Sequence, residues 1–504
     1  MGALDLTILA AYLGGVLAVS WVIARRQRTG TDYFLGGRRM GGTLLALSVI
    51  ANQVSAVSLV GAPAFVALRA GGGLRWLQYE LALPLAMLAL MVLLLPLLRA
   101  ALGASIYSYA EQRFGPGMRK ALAGIFLLSR GLSLGVILYA SALVVARATG
   151  WSVDGALLAV GLFSVFYTTL GGIAADVWSD VLQLIVLWLG TLASAAYLLW
   201  RHGWELIRAI PKERLQSLDV GPLGFVDGQT FGFWPMLFGG FFLYMSYYGC
   251  DQSQAQRLLA ARNDGDARRI LLLNGLLRFP LVLSYCLFGL LLAGLLIVDP
   301  TFASSMASRP IDSLVPTFMA TYLPVGLRGL LMAALLAAAM SSIDSALNAL
   351  AAVTLEDVFG RIPERQSVWT GRFVSLGWGL FAVASGLFFA RAQTGVLELI
   401  NQVGSVFYGP VLAVFLLAVI APKVVGSSAL AGLLAGICGN LILARMLPGL
   451  SWLWWNPAGF LLTLGTALAL SRAWFQWPRL VWPVKETSLL LGTFVLLLAL
   501  LAVF

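Results

Sequence analysis

The chain has 504 residues, of which 60% are hydrophobic, 11% aromatic and only 11% charged. An ordinary soluble chain carries about 25% charged residues, and mean hydropathy here is +0.90. Soluble-enzyme, fibrous and disordered classes are therefore excluded, and the chain is read as a membrane protein. The formal charge of +11 comes from 33 basic and 22 acidic residues. The basic residues form no long runs interleaved with aromatics, so no nucleic-acid partner is expected. An excess of Lys and Arg on loops is what the positive-inside rule requires of a polytopic protein. Cys250, Cys286 and Cys438 are few, odd in number and set in apolar segments, which argues against a disulfide frame or metal cage. The single His202 builds no His-based metal site, and no GxSxG, Walker-type or HExxH pattern occurs. No enzymatic chemistry is expected.

A helix needs about 20 apolar residues to cross the hydrocarbon layer. In chain order the apolar windows fall at 4–24, 42–68, 77–98, 121–146, 152–170, 174–200, 233–256, 270–298, 327–353, 373–390, 397–421, 427–444, 453–471 and 487–504. The expected fold is thus an all-α polytopic membrane protein of about fourteen spans. No positive charge precedes the first window, while Arg25, Arg26 and Arg28 follow it. It is read as a retained span with its N-terminus outside, not a cleavable signal. On that orientation about twenty basic residues fall on cytoplasmic segments and about eleven on outer ones. Both termini then face outward across an inner (plasma) membrane, and the loops 201–232 and 299–326 are too short to form an appended soluble domain.

Charges at membrane depth cost about 2.5–3.5 kcal/mol on insertion scales, so each needs a reason. Asp180 lies roughly 9 Å into the sixth window, and Asp344 roughly 14 Å into the ninth. Arg130 has a similar depth in the fourth, Arg278 lies in the eighth, and Glu80 is near the outer mouth of the third. For Asp344 and Arg130 the plainer alternative to a functional role is a structural salt bridge between helices, and for Arg278 it is snorkelling to the interface.

The ninth window holds the most specific pattern, Ala338-Ala339-Met340-Ser341-Ser342-Ile343-Asp344-Ser345-Ala346-Leu347-Asn348. Ala338, Ser341 and Ser342 share one helical face, and Asp344, Ser345 and Asn348 continue it. A hard monovalent cation wants several oxygens from carbonyls, hydroxyls and a carboxylate, and this stripe supplies all three. The plainer alternative is serines bonded back to the preceding turn or packed as small residues between helices. In the second window Ala51-Asn52-Gln53-Val54-Ser55-Ala56 interrupts an apolar run ahead of Gly61 and Pro63. Unwinding there frees carbonyls, and broken backbone is tolerated in a membrane only where it lines a site. Its counterpart is expected in the seventh window, at Phe238-Gly239-Gly240 before Tyr244, Ser246, Tyr247, Tyr248 and Asp251-Gln252. Two interrupted spans at matching places in successive five-helix blocks point to an inverted repeat around a central site.

At this point the chain resembles the sodium:solute symporter family. The matching stretches are Asp32-Tyr33-Phe34-Leu35-Gly36-Gly37-Arg38, Ser108-Tyr109-Ala110-Glu111-Gln112-Arg113-Phe114-Gly115, and Gly171-Gly172 with Trp178-Ser179-Asp180-Val181-Leu182-Gln183. Asp251-Gln252 through Gln256-Arg257, the Ser341–Asn348 stripe and Tyr408-Gly409-Pro410 complete the set. The resemblance implies one transmembrane domain over 1–504 with a LeuT-type core of two inverted five-helix repeats. These span about 42–200 and 233–421, flanked by 4–24 and 427–504. It implies symport of a small solute with Na⁺ by alternating access, the chain acting as a monomer in the bilayer. The main Na⁺ site would use carbonyls of Ala51, Val54 and Ala338 with hydroxyls of Ser341 and Ser342. A second site would use Asp180, Asp344 and Ser345 together with Ser341, although Asp344 departs from the serine or small residue of several relatives. Substrate positions carried over are Ser55, Ser58, Glu80, Tyr244, Arg278, Asn401 and Gln402, with Tyr247 as an inner gate. Arg278 favours a small organic anion such as a carboxylate, whereas Tyr79-Glu80 resembles the sugar carriers and leaves a sugar or polyol as the alternative. A proton-coupled carrier of the same architecture would titrate Asp344 or Asp180.

Overall fold

The computed structural model describes residues 2–100, 103–307, 309–360, 367–392, 396–476 and 480–503, without the side chains of 56, 57, 100, 148, 392 and 396–403. Among the described residues the chain is helical throughout, with no β-strand. The long helices are α1 (Ala3–Ala24), α2 (Gly42–Gln53), α3 (Ala56–Leu68), α4 (Gly73–Arg99), α5 (Pro116–Thr149) and α6 (Val153–Arg208). There follow α7 (Gly240–Cys250), α8 (Gln252–Ala260), α9 (Asp264–Val298), α10 (Leu327–Val353), α11 (Val368–Ala392) and α12 (Val396–Ile420). The last three are α13 (Gly426–Met446), α14 (Trp455–Ser471) and α15 (Val484–Val503).

Among the described residues, ten helices are long and apolar enough to cross a membrane, or eleven with the bent pair α2–α3 taken as one span. The expected fourteen are not reproduced as separate helices, and each difference has a local cause. The second window is split because Val54 and Ser55 are extended and the two halves are bent by 56°. The fifth and sixth windows adjoin within α6, whose 56 residues include two non-helical positions, Gly172 and Gly203, that divide it into separate helical segments. It is broken at Gly172, where φ is +55° and ψ −165°, a conformation open to glycine alone. The seventh window yields only a π-helical turn, Pro235–Gly239, running into α7. In the eleventh, only Gly404–Ile420 counts as an apolar helix among the described side chains.

The expected break at Phe238-Gly239-Gly240 is absent: the helix continues through both glycines to Cys250 and breaks at Asp251 instead. The glycines serve close packing. A Cβ on Gly239 would lie 2.5 Å from the Leu453 carbonyl oxygen, and one on Gly240 2.8 Å from the Tyr79 ring.

Helix α10 is the axis of the molecule: 94% of its most apolar window is buried, against 17% for α1 and α15. Its N-terminus is held by Asp5 of α1, whose Oδ1 accepts from the N–H groups of Gly326 (2.7 Å) and Gly329 (2.9 Å). A carboxylate there satisfies otherwise orphaned donors of the helix end. Along its length α10 packs on α6, close enough that a Cβ on Gly190 would meet that of Ala334 at 2.7 Å. The stretch beginning at Asp32 docks on the α6 break. Asp32 closes a capping box with Thr29, the N-cap of the short helix Gly30–Leu35; burial works against its ionisation, yet the N–H groups of Arg28 and Thr29 hold its carboxyl below the usual range. The neighbouring Tyr33 is buried, with its hydroxyl 3.1 Å from the Thr169 carbonyl and 3.2 Å from Ser375 Oγ.

Candidate functional site

The break between α2 and α3 faces the middle of α10. Ser341 Oγ lies 3.3 Å from the Ala51 carbonyl oxygen and 3.2 Å from that of Ala338. Ser342 Oγ lies 3.3 Å from the Asn52 carbonyl oxygen. These separations exceed the 2.7–2.8 Å typical of a hydroxyl hydrogen bond. The five oxygens are therefore gathered without being tightly bonded to one another. Val54 is buried beside them, its N–H 3.1 Å from the Ala51 carbonyl, and it ends α2. Asn52 Nδ2 and Gln53 Oε1 are buried with no hydrogen-bond partner. The sequence did not single out the Asn52 carbonyl; its place one residue beyond Ala51 in an unwound stretch was the available signal.

The polar stripe of α10 divides among three neighbours. Asp344 turns to the part of α6 before Gly172, where Thr168 Oγ1 donates to it at 2.6 Å and the Tyr167 hydroxyl also donates. Ser345 and Asn348 turn to the part after the break: Asn348 Nδ2 donates to Asp176 at 3.2 Å, and Ser345 Oγ is 3.4 Å from both Asp176 oxygens. Asp180 accepts from Ser48 Oγ of α2 at 2.5 Å and from Arg257 of α8 at 2.9 Å. One carboxylate oxygen of Asp180 and Oε1 of Gln183 are buried without a partner.

The expected bridge between Asp344 and Arg130 does not form. Arg130 pairs with Asp251, the residue at which the α7–α8 pair breaks and whose other oxygen caps α8 through Ser253 N at 2.9 Å. Arg257, which directly follows the seventh apolar window, is the largest fully buried side chain among the described residues. Asp176 and Ser48 were also missed. Asp176 sits one helical turn before Asp180 and so shares its face, a signal present in the sequence.

Among the described side chains the substrate candidates separate into three groups. Arg278 Nε donates to Glu80 Oε2 at 2.8 Å, the Tyr244 hydroxyl donates to Glu80 Oε1 at 3.2 Å, and Arg278 also reaches the Tyr244 and Tyr248 hydroxyls at 3.3 and 3.4 Å. The Arg278 guanidinium lies over the Tyr244 ring, 5.0 Å from its centroid. Arg278 therefore does not snorkel to the interface, because Glu80 meets it in the interior. Tyr247 belongs elsewhere: Gln254 donates to its hydroxyl at 3.0 Å, Arg130 covers its ring, and Tyr408 packs edge-on to it. Ser55 and Ser58 lie together at the start of α3, with Ser55 capping it. The side chains of Asn401 and Gln402 lie outside the described residues.

A helix broken at mid-membrane against an oxygen-lined neighbour is the arrangement of a secondary transporter. The sodium:solute symporter family model matches residues 33–436, and the chain belongs to that family. It is 30% identical over 448 residues to the human (Homo sapiens) sodium-coupled monocarboxylate transporter 2, covering 86% of this chain and 71% of the relative. It is also 30% identical over 437 residues to the human (Homo sapiens) sodium/iodide cotransporter, covering 84% and 67%. Among solved structures, a Na⁺-coupled sialic acid symporter in a substrate-bound outward-open state shares the fold, with TM-score 0.84, 22% identity and coverage of 94% and 98%. A nucleobase-cation-symport-1 family transporter aligns at TM-score 0.55 with 15% identity over 87% and 94%. The chain is thus a multi-pass, sodium-coupled symporter of a small solute and not an enzyme.

Proposed function

We propose that the Na⁺ ion sits between the α2–α3 break and the Ser341–Ser342 face of α10. The supporting observation is the gathering of the Ala51, Asn52 and Ala338 carbonyls with the two serine hydroxyls at 3.2–3.3 Å. Hard cations of similar size take oxygens at about 2.3–2.6 Å, which puts neighbouring ligands about 3.3–3.7 Å apart when they subtend a right angle. The carbonyl of Val54, at the end of α2, completes the set. An ion there joins the two mobile elements of a transporter, and its departure separates them.

The solute is a small organic anion of the monocarboxylate kind. Its recognition group is Arg278, assisted by the hydroxyls of Tyr244 and Tyr248, with Ser55 and Ser58 at the cap of α3 as further contacts. The side chain of Arg278 is 13% exposed while that of Glu80 is 1% exposed. The cation is thus the more accessible member of the pair. The relatives transporting monocarboxylates support the same reading. The neutrality of the Glu80–Arg278 pair favours a sugar or polyol as the second reading, because a neutral solute leaves the pair intact. Tyr247, stacked over Arg130 next to Asp251, acts as an inner gate.

Energetics make one ion sufficient for useful uptake. A tenfold Na⁺ gradient supplies about 1.4 kcal/mol, or about tenfold accumulation of a monovalent anion. The about 2.3 kcal/mol that a charge gains down about 100 mV adds to this only for a neutral solute, because a co-transported anion cancels it. The test is uptake into proteoliposomes holding the purified protein, with an inward Na⁺ gradient, of lactate, a hexose and a polyol in parallel. Na⁺-dependent lactate uptake is expected. Lactate uptake driven by a pH gradient without Na⁺, or Na⁺-driven accumulation of the hexose alone, contradicts the reading.

A further inference from the structure

The position that the family resemblance assigns to a second sodium ion is filled by a side chain of the protein itself. Arg257 is 1% exposed and spends its guanidinium on four elements. Nε donates to Ser48 Oγ of α2 at 2.7 Å, and Nη1 to the Ser253 carbonyl of its own helix at 2.7 Å. Nη2 meets Asp176 at 3.0 Å and Asp180 at 2.9 Å on α6, and Ser345 Oγ on α10 at 2.5 Å. Two of the residues expected around a second ion, Asp180 and Ser345, are thus already bound to a positive nitrogen. The third, Asp344, is turned to the hydroxyls of Tyr167 and Thr168.

We infer that Arg257 is a resident cation occupying the second ion position, so that the transporter carries one Na⁺ per cycle. A sodium ion drawn to the Asp180 carboxylate would stand about 4 Å from the guanidinium. At an effective dielectric of about 20 this repulsion, taken by itself, weakens binding about a thousandfold, and the attraction of the Asp176 carboxylate offsets part of it. The same side chain ties the broken helix, the long helix and α10 together whether or not sodium is present, which the departing ion at Ser341 and Ser342 does not do. With a monovalent anion as solute, one-for-one symport moves no net charge.

The inference rests on the proposed ion site, and the experiment separates the two. Equilibrium binding of ²²Na⁺ to the purified full chain in detergent is counted per polypeptide. One saturable ion per wild-type chain is expected. Arg257→Gln, leaving Asp176 and Asp180 without their counter-ion, is expected to bind two, and Arg257→Lys to remain at one. A wild-type count of two overturns the inference while leaving the Ser341–Ser342 site standing, as does a count of one in folded Arg257→Gln protein. If the glutamine variant does not fold, the wild-type count decides alone. No saturable binding in the wild type removes the ion site and the inference together.

Discussion

Glu80 of α4 and Arg278 of α9 form a buried ion pair, 2.8 Å apart, walled by the hydroxyls of Tyr244 and Tyr248. Removing one member of such a pair leaves the other charged and unpaired, at a cost of about 3–5 kcal/mol. Glu80→Gln is therefore expected to lower the apparent melting temperature of the purified protein clearly. The double variant Glu80→Gln/Arg278→Gln is expected to recover more than half of that loss. Thermal unfolding followed by intrinsic fluorescence checks this, and equal damage from the single and double variants would show that the pairing energy is small.

The break in α6 calls for a comparison of two glycines. Gly172 and Gly203 both have positive φ, +55° and +59°. At Gly172 an added Cβ would also lie 2.6 Å from the Tyr33 carbonyl, whereas at Gly203 nothing lies within 4 Å. Gly203→Ala carries only the backbone strain, about 1–3 kcal/mol. Gly172→Ala adds a collision with backbone and is expected to abolish the monodisperse peak in size-exclusion chromatography, while Gly203→Ala retains it. Two equally folded variants would contradict the tight fit at Tyr33.

Asp344 has its carboxylate held by Tyr167 and Thr168. Tyr167→Phe removes one donor with little change of shape, so the loss of stability is expected to be about 1–3 kcal/mol. Denaturant or thermal unfolding of the two proteins reads this directly. An unchanged melting temperature would mean that Asp344 does not depend on the phenol.

Asp251 has two duties, pairing with Arg130 and capping α8. Asn at this position keeps the cap and loses the charge; Ala loses both. Asp251→Ala is expected to be less stable than Asp251→Asn by about 0.5–2 kcal/mol, the worth of an N-cap. Equal stabilities would assign the whole role of Asp251 to Arg130.

The apolar windows located most of the helices, and the polar interruption at Ala51–Ser55 located the broken span, because both signals are local. The serine stripe was legible for the same reason: helical spacing alone puts Ser341, Ser342 and Asp344 near one another. Partnerships were not legible. Arg257 lies in the polar run Gln254, Gln256, Arg257, Arg262 and so resembles a loop residue, and only the packing of α8 under α2 and α6 buries it. Arg130 found Asp251 rather than Asp344 because the chain breaks at Asp251, a position no glycine marks. Conversely, Gly239 and Gly240 looked like a break but pack against Leu453 and Tyr79. A glycine in a membrane helix serves either purpose, and neighbours distant in sequence decide between them.

The central claim is that the carbonyls freed between α2 and α3 and the hydroxyls of α10 bind sodium. Binding of ²²Na⁺ to purified Ser341→Ala/Ser342→Ala protein, compared with wild type at equal monodispersity, tests it most directly. The account predicts that saturable binding is weakened at least about tenfold, equivalent to about 1.4 kcal/mol. Wild-type affinity in the double variant would contradict it.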